Sequence, residues 1–155
     1  MRRNAIVATL IASLAAAADG HTVEGTIAVT ATVAANCALA TSPLAFGAYD
    51  PLVRNATADA TTSTPVMVRC TAGSRPRLTI LSSRTGEIAS ASARAHSVLI
   101  GPGGARLNYG FALEAPVVGS GIVRPTTWTL VGSVVHGQSI PDGLYGDELT
   151  AAVDF

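Results

Sequence analysis

The stretch V-E-G-T-I-A-V-T-A-T-V-A-A-N-C, residues 23–37, decides the fold class. Val23, Ile27, Val29, Ala31 and Val33 fall on one side of a two-residue period, and Glu24, Thr26, Thr30 and Thr32 fall on the other. Strict alternation of this kind marks a β-strand with one buried face. Only Gly25 interrupts the apolar side. At about 3.3 Å per residue the run spans roughly 45 Å, longer than a strand of a small sandwich needs. Its first half therefore reads as serving a neighbouring molecule, and its second half as entering the chain's own domain.

Upstream of this run lies a targeting segment. Arg2 and Arg3 form a positive start, Ile6 to Leu14 an apolar centre, and Ala16-Ala17-Ala18 a small-residue cleavage site. The apolar run is too short to cross a bilayer. Cleavage after residue 18 leaves about 137 residues, enough for one domain with its own core. It also removes two of the ten cationic residues, so eight Arg face ten acidic residues in a mature chain of about −2 net charge. No basic patch is present, which argues against a nucleic-acid partner.

An exported chain permits disulfides, and Cys37 and Cys70 are its two cysteines. Read as a disulfide, the pair closes a loop of about 34 residues, with roughly 3–4 kcal/mol of stabilisation in the chain-entropy treatment. His21, His96 and His136 are scattered and no Cys-x-x-Cys or His-x-x-x-His spacing occurs, so no metal ligand set is read.

Downstream, short apolar runs alternate with Gly, Pro and Asn turns. Leu44 to Phe46 reads as a short strand between Pro43 and Gly47, and Arg54 to Thr64 as loop. Val66, Val68 and Cys70 form the core face of one strand, and Arg77 to Leu81 form another. Ser82 to Ser97 is small and polar, with a weak helical reading over Ile88 to His96 and a short strand at Val98 to Ile100. Leu107, Tyr109, Phe111 and Leu113 share one face of a strand. Thr127 to His136 has apolar residues on both faces, and Leu149, Ala151, Val153 and Phe155 line one face of the last strand. Seven or eight short strands without a firm helix read as an antiparallel β-sandwich of immunoglobulin-like size.

Signals for catalysis are weak. Ser120 between Gly119 and Gly121 lacks the nucleophile-elbow pattern, and Gly101-Pro102-Gly103-Gly104 lacks the Lys-Ser/Thr of a phosphate loop. Asp142, Asp147 and Glu148 read as solvent-facing or strand-capping carboxylates. Asn55-Ala56-Thr57 has the spacing of a glycosylation sequon. The chain reads as non-enzymatic, with no cofactor.

Several segments together resemble the spore coat protein U domain, also the domain of subunits in archaic, Csu-type chaperone–usher pili. They are the alternating leader ending at Cys37, P-L-A-F-G-A-Y-D-P from Pro43 to Pro51, V-M-V-R-C-T ending at Thr71, L-N-Y-G-F-A-L from Leu107, L-V-G-S-V-V-H-G-Q from Leu130, and the closing I-P-D-G-L-Y-G-D-E-L-T-A-A-V-D-F. The resemblance implies an immunoglobulin-like sandwich that lacks its final strand. A periplasmic chaperone lends that strand during export, and the N-terminal extension of the next subunit replaces it at an outer-membrane usher.

Carried over by position, this arrangement makes residues 1–18 a signal peptide, 19–30 the donated extension and 31–155 the pilin-like domain. Val23, Ile27 and Val29 become donor side chains, with Ala31 and Val33 nearer the hand-over to the domain. Leu149, Ala151, Val153 and Phe155 flank the acceptor groove, and Cys37 and Cys70 match the family's disulfide. Burial of the three leading donors contributes very roughly 5–8 kcal/mol. The implied role is a structural subunit of a cell-surface pilus, supporting adhesion or biofilm formation, with neighbouring pilin subunits as partners. The alternative is a secreted spore or cell-surface coat protein of the same fold.

Overall fold

The computed structural model describes residues 23–91 and 93–155. The expected signal peptide, residues 1–18, lies outside the described residues. The chain divides into two units, Met1–Thr32 and Val33–Phe155.

In the first unit the described residues form no strand, although their alternation predicts one. Val23, Ile27 and Val29 are about nine-tenths exposed. Alternation gives a segment one apolar face, but a strand exists only where another strand pairs with it.

The described residues of the second unit form eight strands: β1 (Cys37–Ala40), β2 (Ala60–Cys70), β3 (Arg77–Ser82), β4 (Ile88–Ala89), β5 (Arg94–Ile100), β6 (Arg106–Leu113), β7 (Thr126–Val134) and β8 (Leu149–Asp154). They form two antiparallel sheets, one in the order β1-β2-β7-β6-β5 and the other β4-β3-β8. The only helical turn among the described residues is the short 3-10 turn Pro102–Gly104. The immunoglobulin-like all-β class is thus the one observed.

The core fills the space between the sheets. Val66, Val68 and Cys70 of β2, Leu107, Tyr109, Phe111 and Leu113 of β6, and Trp128, Leu130 and Val134 of β7 face Leu78 and Ile80 of β3, all nearly fully buried. The period-two pattern of each strand puts these residues on one side. On β7 the opposite face, with Val131 and Val135, is only partly covered.

Three local expectations are corrected. The loop expected at Arg54 to Thr64 is strand from Ala60 onward, paired with β7 through Ala60↔Val134 and Thr64↔Leu130. The weak helix over Ile88 to His96 is instead β4 and the start of β5, because Ala95 and Ser97 turn inward while Arg94 and His96 turn out. The strand expected at Leu44 to Phe46 has no pairing, yet both side chains pack against the core. They sit over Gly132 of β7, where a Cβ would come within 2.8 Å of Leu44 and 2.7 Å of Phe46. Glycine is needed there for close packing.

The sandwich has two poles. At one, Cys37 pairs with Cys70, Val68 with Thr126 and Arg77 with Asp154. At the other, Ala60 pairs with Val134, Ile100 with Arg106 and Ser82 with Leu149. The disulfide Cys37–Cys70 closes the first pole, as expected.

Candidate functional site

Each sheet ends in two edge strands, β1 and β5 in the larger and β4 and β8 in the smaller, and of these β1 and β8 meet at one cavity. β1 pairs only with β2, and β8 only with β3. Free edges carry unsatisfied N–H and C=O groups that another strand can pair with. Both strands border one cavity of about 440 Å³. Leu39 and Val66 line it from the larger sheet, Ile80, Leu149 and Ala151 from the smaller one, and Leu44 and Phe46 close it above.

The β8 wall of the cavity is apolar because alternate residues of that strand turn inward, while Thr41, Ser42, Asp147 and Glu148 make other parts of the lining polar. On β8, Leu149, Ala151 and Val153 are half-buried while Thr150, Ala152 and Asp154 are exposed. Of the four residues expected to flank a groove, Leu149 and Ala151 line this cavity, and Val153 shares their face of β8 without lining it. Phe155 follows the end of β8 and is 58% exposed. On β1, Leu39 is also partly exposed. An apolar channel left beside two unpaired edges is the shape an added strand fills with backbone bonds and alternate side chains.

One end of the channel is polar. Asp147, expected as a solvent-facing or strand-capping carboxylate, has a side chain only 2% exposed. Its Oδ2 accepts hydrogen bonds from the Ser97 hydroxyl at 2.6 Å and the Tyr109 hydroxyl at 2.7 Å. Its Oδ1 accepts from Arg84 Nε at 2.5 Å. Ser97 has one hydroxyl proton, spent on Asp147, so in the 2.7 Å Ser82–Ser97 contact it is Ser82 that donates.

Burial pushes the Asp147 carboxyl up, but the bonds from Ser97, Tyr109, the Glu148 backbone and Arg84 outweigh it and hold the group below the usual carboxylate value. Burial and the adjacent carboxylate push the Tyr109 phenol well above its ordinary value. The cluster ties β3, β5 and β6 to the segment leading into β8, and so fixes one wall of the channel. It offers no nucleophile and base poised for chemistry, since every member is committed to a structural bond.

The sequence signal for this cluster was Tyr109. A tyrosine on a core-facing strand has to satisfy its hydroxyl with a hydrogen-bond partner. Asn55 of the sequon is likewise structural. It is 3% exposed, its Nδ2 donates to the Ala58 carbonyl, and its Oδ1 accepts from the Asp50 N–H, closing the 50–58 turn.

Val23, Ile27, Val29, Ala31 and Val33, the residues expected as donors, are exposed, and none belongs to a strand of the described chain. Among the described residues no three His, Cys, Asp or Glu side chains gather as a metal site requires. No helix among them is long and apolar enough to cross a membrane. A larger concavity, about 480 Å³, lies on the outer face of β6 and β7 beside β5. Its floor strands, β6 and β7, are already paired on both sides, so it offers a strand nothing to bond with there.

A family model described as Spore Coat Protein U domain matches residues 23–111, from the first described residue of the leader into β6. No curated protein and no solved structure gives a significant match.

Proposed function

We propose that this chain, which belongs to the Spore Coat Protein U domain family, is a structural pilus subunit polymerised by donor-strand exchange. Family membership makes it a surface pilin-like or coat-like protein, a structural class rather than an enzymatic one. The finer reading rests on one pairing of observations. The sandwich has an unpaired edge beside an open apolar channel, and the same chain carries an exposed leader with aliphatic side chains every second residue.

The leader of one copy enters the channel of another between β1 and β8. It runs antiparallel to β8, as successive strands of such a sandwich do, and its backbone satisfies the β8 edge. Val23, Ile27 and Val29 turn toward Leu149, Ala151 and Val153, and Ala31 and Val33 lie nearer the exit. Before assembly the open channel needs a temporary cover. A periplasmic chaperone supplies it, and an outer-membrane usher exchanges it for the next leader after export under the signal at residues 1–18. The assembled fibre is extracellular and supports adhesion or biofilm formation.

The test is the gel behaviour of the full-length protein. Donor-strand polymers run as ladders in detergent without heating and collapse to monomer on boiling. A protein trimmed of residues before Ala31 and produced without a helper is expected to aggregate. Recovery of that trimmed protein as a soluble, cooperatively folded monomer removes the reading. It would favour a secreted coat protein of the same fold, the role that the family description itself names.

A further inference from the structure

Beyond Val33, the seven most exposed large hydrophobic side chains lie on loops at the poles, Val117, Val118, Ile122 and Val123 at one and Leu52, Val53 and Leu144 at the other. At the disulfide pole, the β6–β7 loop presents Val118, Ile122 and Val123, between 68% and 90% exposed. At the opposite pole, Leu52 and Val53 of the 50–58 turn and Leu144 of the β7–β8 connection are between 79% and 91% exposed. A hydrogen bond from the Gly137 N–H to the Asn55 carbonyl ties that turn to the β7–β8 connection. Aliphatic tips gathered at two opposite ends, while the sheet faces show fewer and more sheltered ones, form a pattern that isolated surface residues do not.

We propose that these poles dock on one another, the β6–β7 loop of one copy seating against Leu52, Val53 and Leu144 of the next. The inference rests on the donor-strand reading and adds a second contact to it. β8 runs from the far pole to the disulfide pole, as its register with β3 requires. A leader antiparallel to β8 therefore leaves the channel at the far pole. That leader joins its own sandwich at Cys37, in the disulfide pole. Unlike poles are thus brought face to face. Only eight residue steps separate Val29 from Cys37, a reach of at most about 29 Å.

Charge fits the same pairing. Exposed Arg124 adjoins Val123 and exposed Asp142 lies near Leu144, while Glu114 at one pole and Arg54 at the other repeat the match with signs reversed. A contact between unlike surfaces propagates without closing, which is what a filament needs.

Hydroxyl-radical footprinting of the full-length fibre, against the unassembled fraction of the same preparation, tests this. Oxidation is expected to fall several-fold at Leu52, Val53 and Leu144 and at Val118, Ile122 and Val123. The double substitution Ile122→Asp with Val123→Asp, at exposed loop positions, should keep the detergent-resistant ladder yet return Leu52, Val53 and Leu144 to monomer-like labelling. Fibres in which Leu149 and Val153 are protected relative to the denatured chain while both poles label as in the unassembled fraction overturn the docking and leave donor exchange standing. Leu149 and Val153 that label as strongly in the fibre as in the denatured chain overturn donor exchange instead. Poles that stay protected in the double variant also overturn the docking.

Discussion

The leader, residues 23–33, and strand β7 have the same sequence rhythm, yet they end in opposite states. V-E-G-T-I-A-V-T-A-T-V and T-T-W-T-L-V-G-S-V both alternate apolar with polar or small residues. β7 lies between β2 and β6, and Trp128, Leu130 and Val134 are almost wholly buried. The leader has no neighbouring strand, and its aliphatic side chains stand in solvent. A two-residue period therefore reports which face a segment can bury. Which sheet buries it depends on where a free edge exists. In the sandwich one such edge is β8, beside a channel lined by Leu149 and Ala151.

The contrast is sharpest if the leader's apolar face is charged. Ile27→Asp together with Val29→Asp should abolish the detergent-resistant ladder, with association weakened by at least about 100-fold from the lost burial alone. Because these positions are exposed in the single chain, the thermal midpoint of the unassembled sandwich should not move. Ladders at normal yield would break the comparison, since the leader would then have no use for its apolar face.

A smaller effect is expected from opening the disulfide. Cys37→Ser should lower sandwich stability by roughly 3–4 kcal/mol, read as a shift of the urea midpoint and a fall in exported yield. An unchanged midpoint would mean that β1 holds its place without the link.

The smallest effect concerns the polar end of the channel. The folded Asp147 carboxyl is held below its ordinary value, so its contribution is complete above about pH 4, the unfolded value, and is lost as the pH falls through the lower folded value. Asp147→Asn should cost about 2–3 kcal/mol at pH 7 by weakening the bonds from Ser97, Tyr109 and Arg84. The gap to the parent protein should narrow as the pH drops below about 4. A gap of constant size in urea titrations from pH 7 to 3 would show that the charge of Asp147 is not what holds the cluster.

Much of the fold was legible because large side chains recur every second residue. Leu107, Tyr109, Phe111 and Leu113 announce β6, and Leu149, Ala151 and Val153 announce the inner face of β8. The missed stretches are those where a strand turns small or polar groups inward. In β2 the inward Thr64 donates its hydroxyl to the Ser42 carbonyl, and in β5 the inward positions are Ala95 and Ser97. Such residues carry no hydrophobic period, so Ala60–Thr64 read as loop and Ile88–His96 as weak helix.

The candidate site was half visible. Its apolar lining on β8 followed from alternation, but Asp147 read only as a solvent-facing or strand-capping acid. Its burial depends on three donors from distant segments, Arg84, Ser97 and Tyr109, which local patterning does not bring together. Leu44 to Phe46 reads as strand because a short apolar run stands between Pro43 and Gly47. In the fold they lie across Gly132 and cap the channel without pairing.

The disulfide has a mechanical consequence. A pull on the leader reaches the sandwich at Cys37, the first residue of a strand of only four. Alone, β1 would peel away one rung at a time. The sulfur bridge at that same residue passes the load to Cys70 and so to β2, an eleven-residue strand paired on both sides and running through the sheet interior. Tension is then met by many backbone bonds strained together in shear, and the short outer strand is spared.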